Sequence, residues 1–194
     1  MKIYDCFQFF DEEMLLDLRL NIMNKYVDKF IITEATYTHS GESKKLIFNI
    51  NKFSKFKDKI IYIVVDKQPP DIQKISKDDN EQSLSTKRQS NAYKRHIYQL
   101  EKTQHGILDA DANDIIIVGD LDEIPNLENV DFKKIKQKLI FFKQKMFYYK
   151  FNLYYNVMPW YGTKACKKKY LKSAKWLQWT KNTKYPLWRL DILF

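Results

Sequence analysis

The sequence has few of the residues that interrupt or cross-link a chain. Its 194 residues include four glycines, five prolines, three histidines and two cysteines. The spacing of the histidines and cysteines predicts neither a disulfide framework nor a zinc site. Cys6 lies in an apolar stretch, so we expect it to be a buried structural thiol.

Long apolar runs are also missing. No run of 18 apolar residues occurs, so no transmembrane helix is predicted. The first ten residues, MKIYDCFQFF, have one lysine, alternating apolar residues and no small-residue cleavage site, which does not fit a signal peptide. We therefore expect a cytoplasmic protein.

Acidic residues are almost absent from the last third of the chain. Residues 1–131 contain 18 Lys and Arg and 23 Asp and Glu, a net charge of −5. Residues 132–194 contain 16 Lys and Arg and one acid, Asp191, a net charge of +15. Such a field attracts polyanions: nucleic acid, anionic lipid headgroups or a nucleotide diphosphate. The basic stretch KKKYLKSAKW, residues 167–176, suits either a solvated lysine face or peripheral contact with the inner face of an anionic membrane.

The sequence does contain an alternation of strand and helix patterns. Apolar runs predict strands at residues 2–9, 28–36, 57–66 and 112–120. Helical spacing predicts helices at residues 11–27, with Asp11 as N-cap, and at 86–103, with a polar loop over 67–85 between strand and helix. The later chain predicts a short helix at 129–139, a long strand or hairpin at 140–155 and a last helix at 169–179. This order predicts one α/β domain with a mostly parallel central sheet flanked by helices.

The stretch DIIIVGDLDEIPN, residues 114–126, combines a buried strand with three carboxylates at its end. Asp120 and Asp122 repel each other unless a cation compensates their charge. Carboxylate oxygens are the ligands that Mg²⁺ and Mn²⁺ prefer, typically together with substrate phosphates. Pro125 ends the strand and holds the cluster in a turn. We therefore predict that Asp120 and Asp122 bind Mn²⁺ or Mg²⁺, the alternative being exposed acids at a helix N-cap or in an Asx turn.

The motif GDLDEIPN resembles the acidic signature of glycosyltransferase family 17, which includes the β-1,4-mannosyl-glycoprotein 4-β-N-acetylglucosaminyltransferases. Three further stretches match in order: residues 3–41, FKDKIIYIVVD and PWYGTKA. The resemblance covers nearly all of residues 1–165. It implies a GT-A-like nucleotide-sugar fold and an inverting transfer of a sugar to a glycan acceptor, with N-acetylglucosamine from UDP-N-acetylglucosamine in characterised members.

The resemblance also implies roles for individual residues. Asp122 is expected to ligate the metal, Asp120 to bind the metal or the ribose, and Glu34 to lie near the nucleoside. The other residues that it places around the nucleotide sugar are Phe7, Lys94, Arg95, Trp160, Gly162 and Thr163. The family's Q-R-N-like basic helix aligns either with Tyr93-Lys94-Arg95 or with Gln89-Ser90-Asn91, so the donor-binding role of Lys94 and Arg95 stays open.

An inverting transferase needs a base that deprotonates the acceptor hydroxyl, usually a carboxylate. The candidates are Glu123, an acid upstream, or a group outside this chain. The alternatives for Glu123 are a solvated turn residue or a residue that hydrogen-bonds to a metal ligand. We expect residues 1–131 to bind metal and nucleotide sugar, and residues 132–194 to form a basic, incomplete acceptor side. The family's G-G-W-type motif is replaced here by YPLWRLDILF, so a frameshift that makes residues 187–194 non-native is our hypothesis.

Other readings of the same residues remain open. Trp160, beside Gly162, is expected to contact the ligand, whereas Trp176 and Trp179 share a helical face and are expected to pack in a core or interface. The function classes that compete with a transferase are a nucleic-acid-binding protein, a phosphohydrolase or nucleotidyltransferase, and an inactive remnant of the transferase fold. No nucleic-acid recognition motif is present, so nucleic acid is not an expected partner.

Overall fold

The structure, a computed structural model, describes residues 1–150 and 152–182. The helices are α1 (Glu13–Met23), α2 (Glu81–Lys102) and α3 (Ala174–Trp179). The strands are β1 (Ile3–Phe9), β2 (Lys29–Ala35), β3 (Ile60–Val65), β4 (Ile115–Val118), β5 (Leu139–Phe141), β6 (Gln144–Phe147), β7 (Tyr154–Trp160) and β8 (Lys164–Lys167). Residues 187–194, the segment of the frameshift hypothesis, lie outside the described residues.

Six strands form one sheet in the order β3-β2-β1-β4-β8-β5. The first four run parallel, while β8 lies antiparallel between β4 and β5. The predicted α/β class with a mostly parallel sheet is therefore confirmed. All four residues of β4 are buried, as expected for a strand covered on both faces.

Helices cover both faces of this sheet. Successive side chains of a strand point to opposite faces, so each buried strand contributes apolar side chains to both layers. One face buries Phe7, Phe9, Phe30, Ile32, Ile115 and Ile117 against Leu16, Leu20 and Met23 of α1. The other buries Cys6, Ile31, Ile116 and Cys166 against Leu100 of α2 and Leu177 of α3. Each large apolar side chain buried this way contributes roughly 1.5–3 kcal/mol.

The expectation for Cys6 is confirmed. Its thiol is fully buried and free, as is that of Cys166. Burial raises the pKa of the Cys6 thiol well above its usual range and that of Cys166 to about 12. Both thiols are thus inert packing groups at neutral pH.

Several element boundaries differ from the predictions. The helix predicted at 129–139 is wrong: residues 132–134 form only a turn, and β5 begins at Leu139. Helix α2 begins at Glu81 because the Asn80 side chain accepts a hydrogen bond from the Ser83 amide. Asp11 is not the N-cap of α1; Glu12 takes that position, without a side-chain capping bond.

The stretch at 140–155 contributes to a hairpin rather than to one long strand. Strands β6 and β7 pair antiparallel as a separate two-stranded sheet, while β5 joins the main sheet. The hairpin returns the chain through Trp160 and Gly162 to β8, which pairs with β4. Among the described residues, no helix has the length and apolarity needed to span a membrane.

Candidate active site

The acidic loop, Gly119–Glu123, follows the carboxyl end of β4, the parallel strand that borders the antiparallel β8. Open α/β sheets bind ligands beyond the carboxyl ends of their strands. The Glu123 amide donates to the Asp120 carbonyl at 3.0 Å, and the Ile124 amide donates to the Asp122 carbonyl at 3.2 Å. The three carboxylates differ in exposure. Asp122 is exposed, Asp120 is half-buried and Glu123 is only 8% exposed.

A buried arginine of α1 hydrogen-bonds to the backbone of this loop. Arg19 Nη1 donates to the backbone carbonyl oxygens of Asp120, Leu121 and Glu123 at 2.8, 3.2 and 3.2 Å. Its Nε and Nη2 form a bidentate pair with the Asp5 carboxylate of β1, at 2.8 and 2.7 Å. Both side chains are fully buried, so the guanidinium uses its fork geometry to fix the loop to the sheet.

Sequence reasoning did not find this pair as part of the site. The sequence does show that each of two apolar segments contains one charged residue: Asp5 in the first strand and Arg19 between Leu16 and Leu20 on the buried face of α1. Unpaired buried charges are costly, so two buried residues of opposite charge are expected to form an ion pair. Their contact with the acidic loop is a long-range feature that spacing does not reveal.

Glu123 is fixed by the stretch that follows the hairpin. Its Oε1 accepts from Trp160 Nε1 at 2.8 Å, and its Oε2 accepts from the Asp120 amide at 2.9 Å. The Thr163 hydroxyl donates to the Glu123 carbonyl. A Cβ at Gly162 would lie 1.8 Å from Glu123 Oε1, so only glycine allows this approach. The structure thus brings Trp160, Gly162 and Thr163 together with Glu123.

A cavity of about 230 Å³ opens between the acidic loop and α3. Its polar wall includes Asp120, Glu123, Lys164 and Gln178. Gln178 Nε2 donates to Asp120 Oδ1 at 2.8 Å. The Lys164 ammonium is buried and donates to the carbonyls of Gly162 and Gln178. Burial lowers the pKa of Lys164, and the charges of Glu123 and Asp120 partly oppose that shift.

Burial and mutual repulsion raise the pKa values of two carboxylates of the loop. The pKa of Asp122 is raised by desolvation and by the neighbouring Asp120 carboxylate. The pKa of Glu123 is raised mainly by burial and further by both aspartates, although its hydrogen bonds from Asp120 and Trp160 oppose the shift. A cation bound beside them would relieve this repulsion.

The donor set at this edge suits a hard divalent ion. Asp120 and Asp122 offer only oxygen, and Asp122 is open to solvent, which fits Mg²⁺ or Mn²⁺ and does not fit a thiolate- or imidazole-preferring metal. No group of three or more His, Cys, Asp or Glu within residues 1–150 and 152–182 is arranged to hold a metal ion. A metal held by the two aspartates would therefore complete its shell with phosphate oxygens and water.

Glu34 lies at the carboxyl end of β2 and is fully buried. Its carboxylate accepts from the amides of Ile47 and Phe48 at 2.8 and 3.0 Å and from the Tyr62 hydroxyl at 2.8 Å, and it pairs with Lys44. The donors of Lys44, Ile47 and Phe48 anchor the long loop after β2 to the sheet, while Tyr62 donates from the neighbouring strand β3. The contact of Glu34 with a nucleoside stays a prediction.

Phe7, Lys94 and Arg95 are not brought to the cavity. Phe7 is fully buried in the core, with the Arg19 guanidinium 4.6 Å from its ring centre. Lys94 pairs with the Asp71 carboxylate at 3.0 Å, in the loop after β3. Arg95 donates to Gln68 Oε1 at 2.7 Å and to the His39 carbonyl at 3.0 Å. Lys94 and Arg95 thus hold loops against α2, and their donor-binding roles remain predictions.

Helix α2 buries a row of polar side chains that includes Asn91 and Arg95, one residue from each of the two alignments of the basic helix. Asn91, Arg95 and Gln99 recur every four residues and are buried. Gln99 Nε2 donates to the Thr33 carbonyl at 2.9 Å, and Asn91 exchanges two hydrogen bonds of 2.8 Å with the Gln73 backbone. These residues tie the ends of the strands and the following loops to one helix. Helical spacing of polar residues was the signal that could have found them.

His39, His96 and Trp179 lie at or near the cavity, although the sequence did not predict them there. His39 and His96 lie edge to face with ring centres 5.6 Å apart, and His96 lines the cavity. Desolvation and His96 lower the pKa of His39. Trp176 packs partly buried against the core, one of its two predicted positions. Trp179 does not pack in the core, since it is 52% exposed and lines the cavity, and its packing in an interface stays a prediction.

Comparison with known proteins identifies the family to which the chain belongs. The family model of glycosyltransferase family 17 matches residues 1–185, which extends beyond the stretch that carried the resemblance. No curated protein matches the chain, and no solved structure does. The matched region contains the strands, the acidic loop and the cavity, and the chain belongs to glycosyltransferase family 17.

Proposed function

We propose that the chain transfers a sugar from a UDP-sugar to a hydroxyl of a glycan acceptor with inversion, using Mn²⁺ or Mg²⁺. The observation that carries this proposal is the acidic loop at the carboxyl end of β4, where Arg19 fixes the backbone carbonyls under two aspartates and Glu123. Family membership supports a sugar transferase. UDP and N-acetylglucosamine are proposed because characterised members of the family use them.

In this proposal Asp120 and Asp122 are the residues that would hold the cation. A metal bound there would supply positive charge to offset the negative charge of a UDP leaving group. Asp122, the more exposed aspartate, is free to ligate directly, while Asp120 already accepts a hydrogen bond from Gln178. The buried Lys164 ammonium adds a fixed positive charge on the same cavity wall.

Glu123 is the proposed base. The acceptor oxygen forms a bond to the anomeric carbon, the bond from that carbon to the diphosphate oxygen breaks, and the acceptor proton passes to the Glu123 carboxylate. Burial raises the pKa of Glu123, which brings its basicity closer to neutral pH. The hydrogen bond from Trp160 keeps the carboxylate in one orientation.

Calorimetric titration of UDP, with and without Mn²⁺, tests the donor site. We expect binding that requires the metal and is lost in Asp122→Ala. Asp109→Ala, which removes an exposed aspartate from a turn outside the cavity, is the matched control and should bind as the wild type does. Metal-independent binding, or equal binding by Asp122→Ala, would refute the metal role of this loop. Metal-dependent binding without transfer to any acceptor would instead identify an inactive remnant.

A further inference from the structure

The hairpin of β6 and β7 exposes large aromatic side chains. Tyr149, at its tip, is 97% exposed, and Phe147, Tyr148 and Tyr154 are 45%, 45% and 55% exposed. Among the described residues from 143 to 160, none belongs to the buried apolar clusters that pack the main sheet. A contiguous exposed apolar surface of this kind marks a site that contacts a partner or a membrane.

These side chains lie on both faces of the two-stranded ribbon. Phe147 and Tyr154 pair in register, and their ring centres are 5.6 Å apart on one face. Because successive side chains point to opposite faces, Tyr148 and Tyr155 lie on the other face, with ring centres 5.2 Å apart. A protein that docks on one face of the ribbon leaves the other face in water. Immersion of the ribbon in a lipid interface covers both faces.

The turn at the tip directs one ring away from the protein. Tyr149 has a left-handed backbone conformation with a φ of 59°, which is uncommon for a bulky residue. It is the central residue of a tight turn in which the Lys150 amide donates to the Tyr148 carbonyl at 2.6 Å. The Tyr148 amide donates to the Leu153 carbonyl at 3.0 Å and closes the tip. The chain thus holds the Tyr149 ring in an unusual, outward position instead of packing it.

The composition of the hairpin fits an anionic lipid surface. Tyrosine combines an apolar ring with a polar hydroxyl, and such rings are enriched where a bilayer meets water. Lys143, Lys145 and Lys150 are exposed and form no ion pair with any residue that the structure describes. The sequence contains no acid between Asp131 and Asp191. The charge of the hairpin is therefore complementary to anionic headgroups, which the lysine ammonium groups can reach while their stems lie beside apolar groups.

We propose that the hairpin tip, residues 147–150 and 152–155, inserts into the interface of an anionic lipid bilayer. The tyrosine and phenylalanine rings enter the boundary between headgroups and acyl chains, and the lysines contact the headgroups. This contact differs from the electrostatic one expected for residues 167–176, because it depends on uncharged side chains as well as on charge. It does not depend on the proposed transfer reaction.

Insertion of the tip also positions the cavity near the membrane. Strand β7 runs from Tyr154 at the tip to Trp160, a span of roughly 20 Å or less at about 3.3 Å per residue. Trp160 hydrogen-bonds to Glu123 in the acidic loop. The hairpin therefore connects the lipid surface to the candidate active site through one strand.

Sedimentation with vesicles of phosphatidylcholine and phosphatidylglycerol at low salt tests the role of the rings. Tyr148→Ser/Tyr149→Ser/Tyr154→Ser removes three exposed rings and leaves the net charge unchanged. We expect this variant to bind the vesicles about tenfold more weakly than the wild type does, because less apolar surface enters the interface. Equal binding by this variant and the wild type would show a purely electrostatic contact and overturn the proposal.

The matched control removes exposed apolar side chains from another surface. Met14, Leu18 and Ile22 are exposed on α1, and Met14→Ser/Leu18→Ser/Ile22→Ser should bind the vesicles as the wild type does. A loss in this control equal to that of the tyrosine variant would show that the tip has no specific role. Thermal unfolding of both variants identifies losses that come from misfolding.

A polarity-sensitive fluorophore at the tip tests insertion without removing the other rings. Cys6 and Cys166 are buried, so Tyr149→Cys supplies the thiol that reacts with the label. Its emission should shift to shorter wavelength with anionic vesicles, whereas a label on Leu108→Cys, at an exposed turn before β4, should not shift. Equal shifts at both positions would overturn the proposal. A shift without vesicles that grows with protein concentration would instead assign the tip to a second copy of the chain and overturn it as well.

Discussion

At the scale of single residues, Arg19 has the largest set of contacts with the acidic loop. It is fully buried, forms a bidentate pair with Asp5 and donates to three loop carbonyls. This guanidinium joins β1, α1 and the loop after β4. The geometry of the proposed metal site therefore depends on a residue that does not touch the ligand.

We expect Arg19→Met to destabilise the protein by about 3–5 kcal/mol, because it leaves Asp5 buried without a partner. Urea unfolding measures this loss. The double variant Asp5→Leu/Arg19→Met removes both charges and should recover part of the stability, yet it should still bind UDP and Mn²⁺ weakly because the loop carbonyls remain unheld. Full recovery of binding in the double variant would contradict the positioning role.

Asp122 should reduce the stability of the metal-free protein. Its pKa is raised by desolvation and by Asp120, so its ionised form at neutral pH costs free energy that is absent below its unfolded-state pKa. Asp122→Asn should therefore raise the melting temperature without metal, by up to about 4 °C for a gain on the order of 1 kcal/mol or less. In saturating Mn²⁺ and UDP the order should reverse. A lower melting temperature for metal-free Asp122→Asn would be the contrary result.

The pH profile of transfer should report Glu123. Because burial raises its pKa, the activity should fall with decreasing pH at values above the ordinary range of a glutamic acid, as the base becomes protonated. A kcat/KM profile of the wild type measures this limb. Glu123→Gln should be slow at all pH values and lack the limb; an unchanged limb in that variant would assign the base elsewhere.

At the scale of elements, the turn between β7 and β8 is the second support of the site. Trp160 ends β7, Gly162 lies against the Glu123 carboxylate, and Thr163 bonds the Glu123 carbonyl before β8 begins. Residues 160–163 thus connect the hairpin to β8. Because β8 pairs antiparallel with β4, these residues lie against the acidic loop.

Gly162→Ala should reduce the rate of transfer by about a hundredfold or more, the loss expected when a general base is displaced. The reason is that the new Cβ would overlap Glu123 Oε1. The matched control is Gly106→Ala, whose Cβ would meet Ile31 Cγ2 at 2.4 Å in the core, outside the cavity wall. That variant should lose roughly 1–3 kcal/mol of stability by overpacking and keep its activity per folded molecule. Steady-state kinetics and thermal unfolding of both variants decide the comparison.

The sequence predicted those features of the fold that depend on local patterns. The apolar runs gave the four parallel strands, and the run that ends in Asp120, Asp122 and Glu123 placed the acidic loop at the end of β4. The helix at 129–139 was wrong because lysine-rich spacing there imitates a helical period, while tertiary packing leaves only a turn before β5. Arg19, Lys164 and Gln178 reach the site through contacts between residues far apart in sequence, which no local pattern encodes.

At the scale of the whole molecule, the two charge regimes meet in one sheet. Strands β5 and β8 come from the basic segment of net charge +15, and they extend the sheet formed by β1 to β4. The acidic loop thus lies next to a basic region, an arrangement that attracts an anionic donor toward the metal-binding edge.

The basic segment should also bind anionic surfaces. We expect sedimentation with vesicles that contain anionic lipid, weak sedimentation with neutral vesicles, and release by about 0.5 M salt because screening shortens the range of the attraction. Binding that is equal for neutral and anionic vesicles, or unaffected by salt, would contradict an electrostatic contact with the membrane.

The most direct test of the account is the position of the metal in a crystal of the chain grown with Mn²⁺ and UDP. The account predicts an anomalous manganese signal within bonding distance of an Asp122 carboxylate oxygen and of diphosphate oxygens, at the carboxyl end of β4. Manganese bound at another site, or UDP bound there without metal, would contradict the claim that the acidic loop holds the donor through a divalent ion.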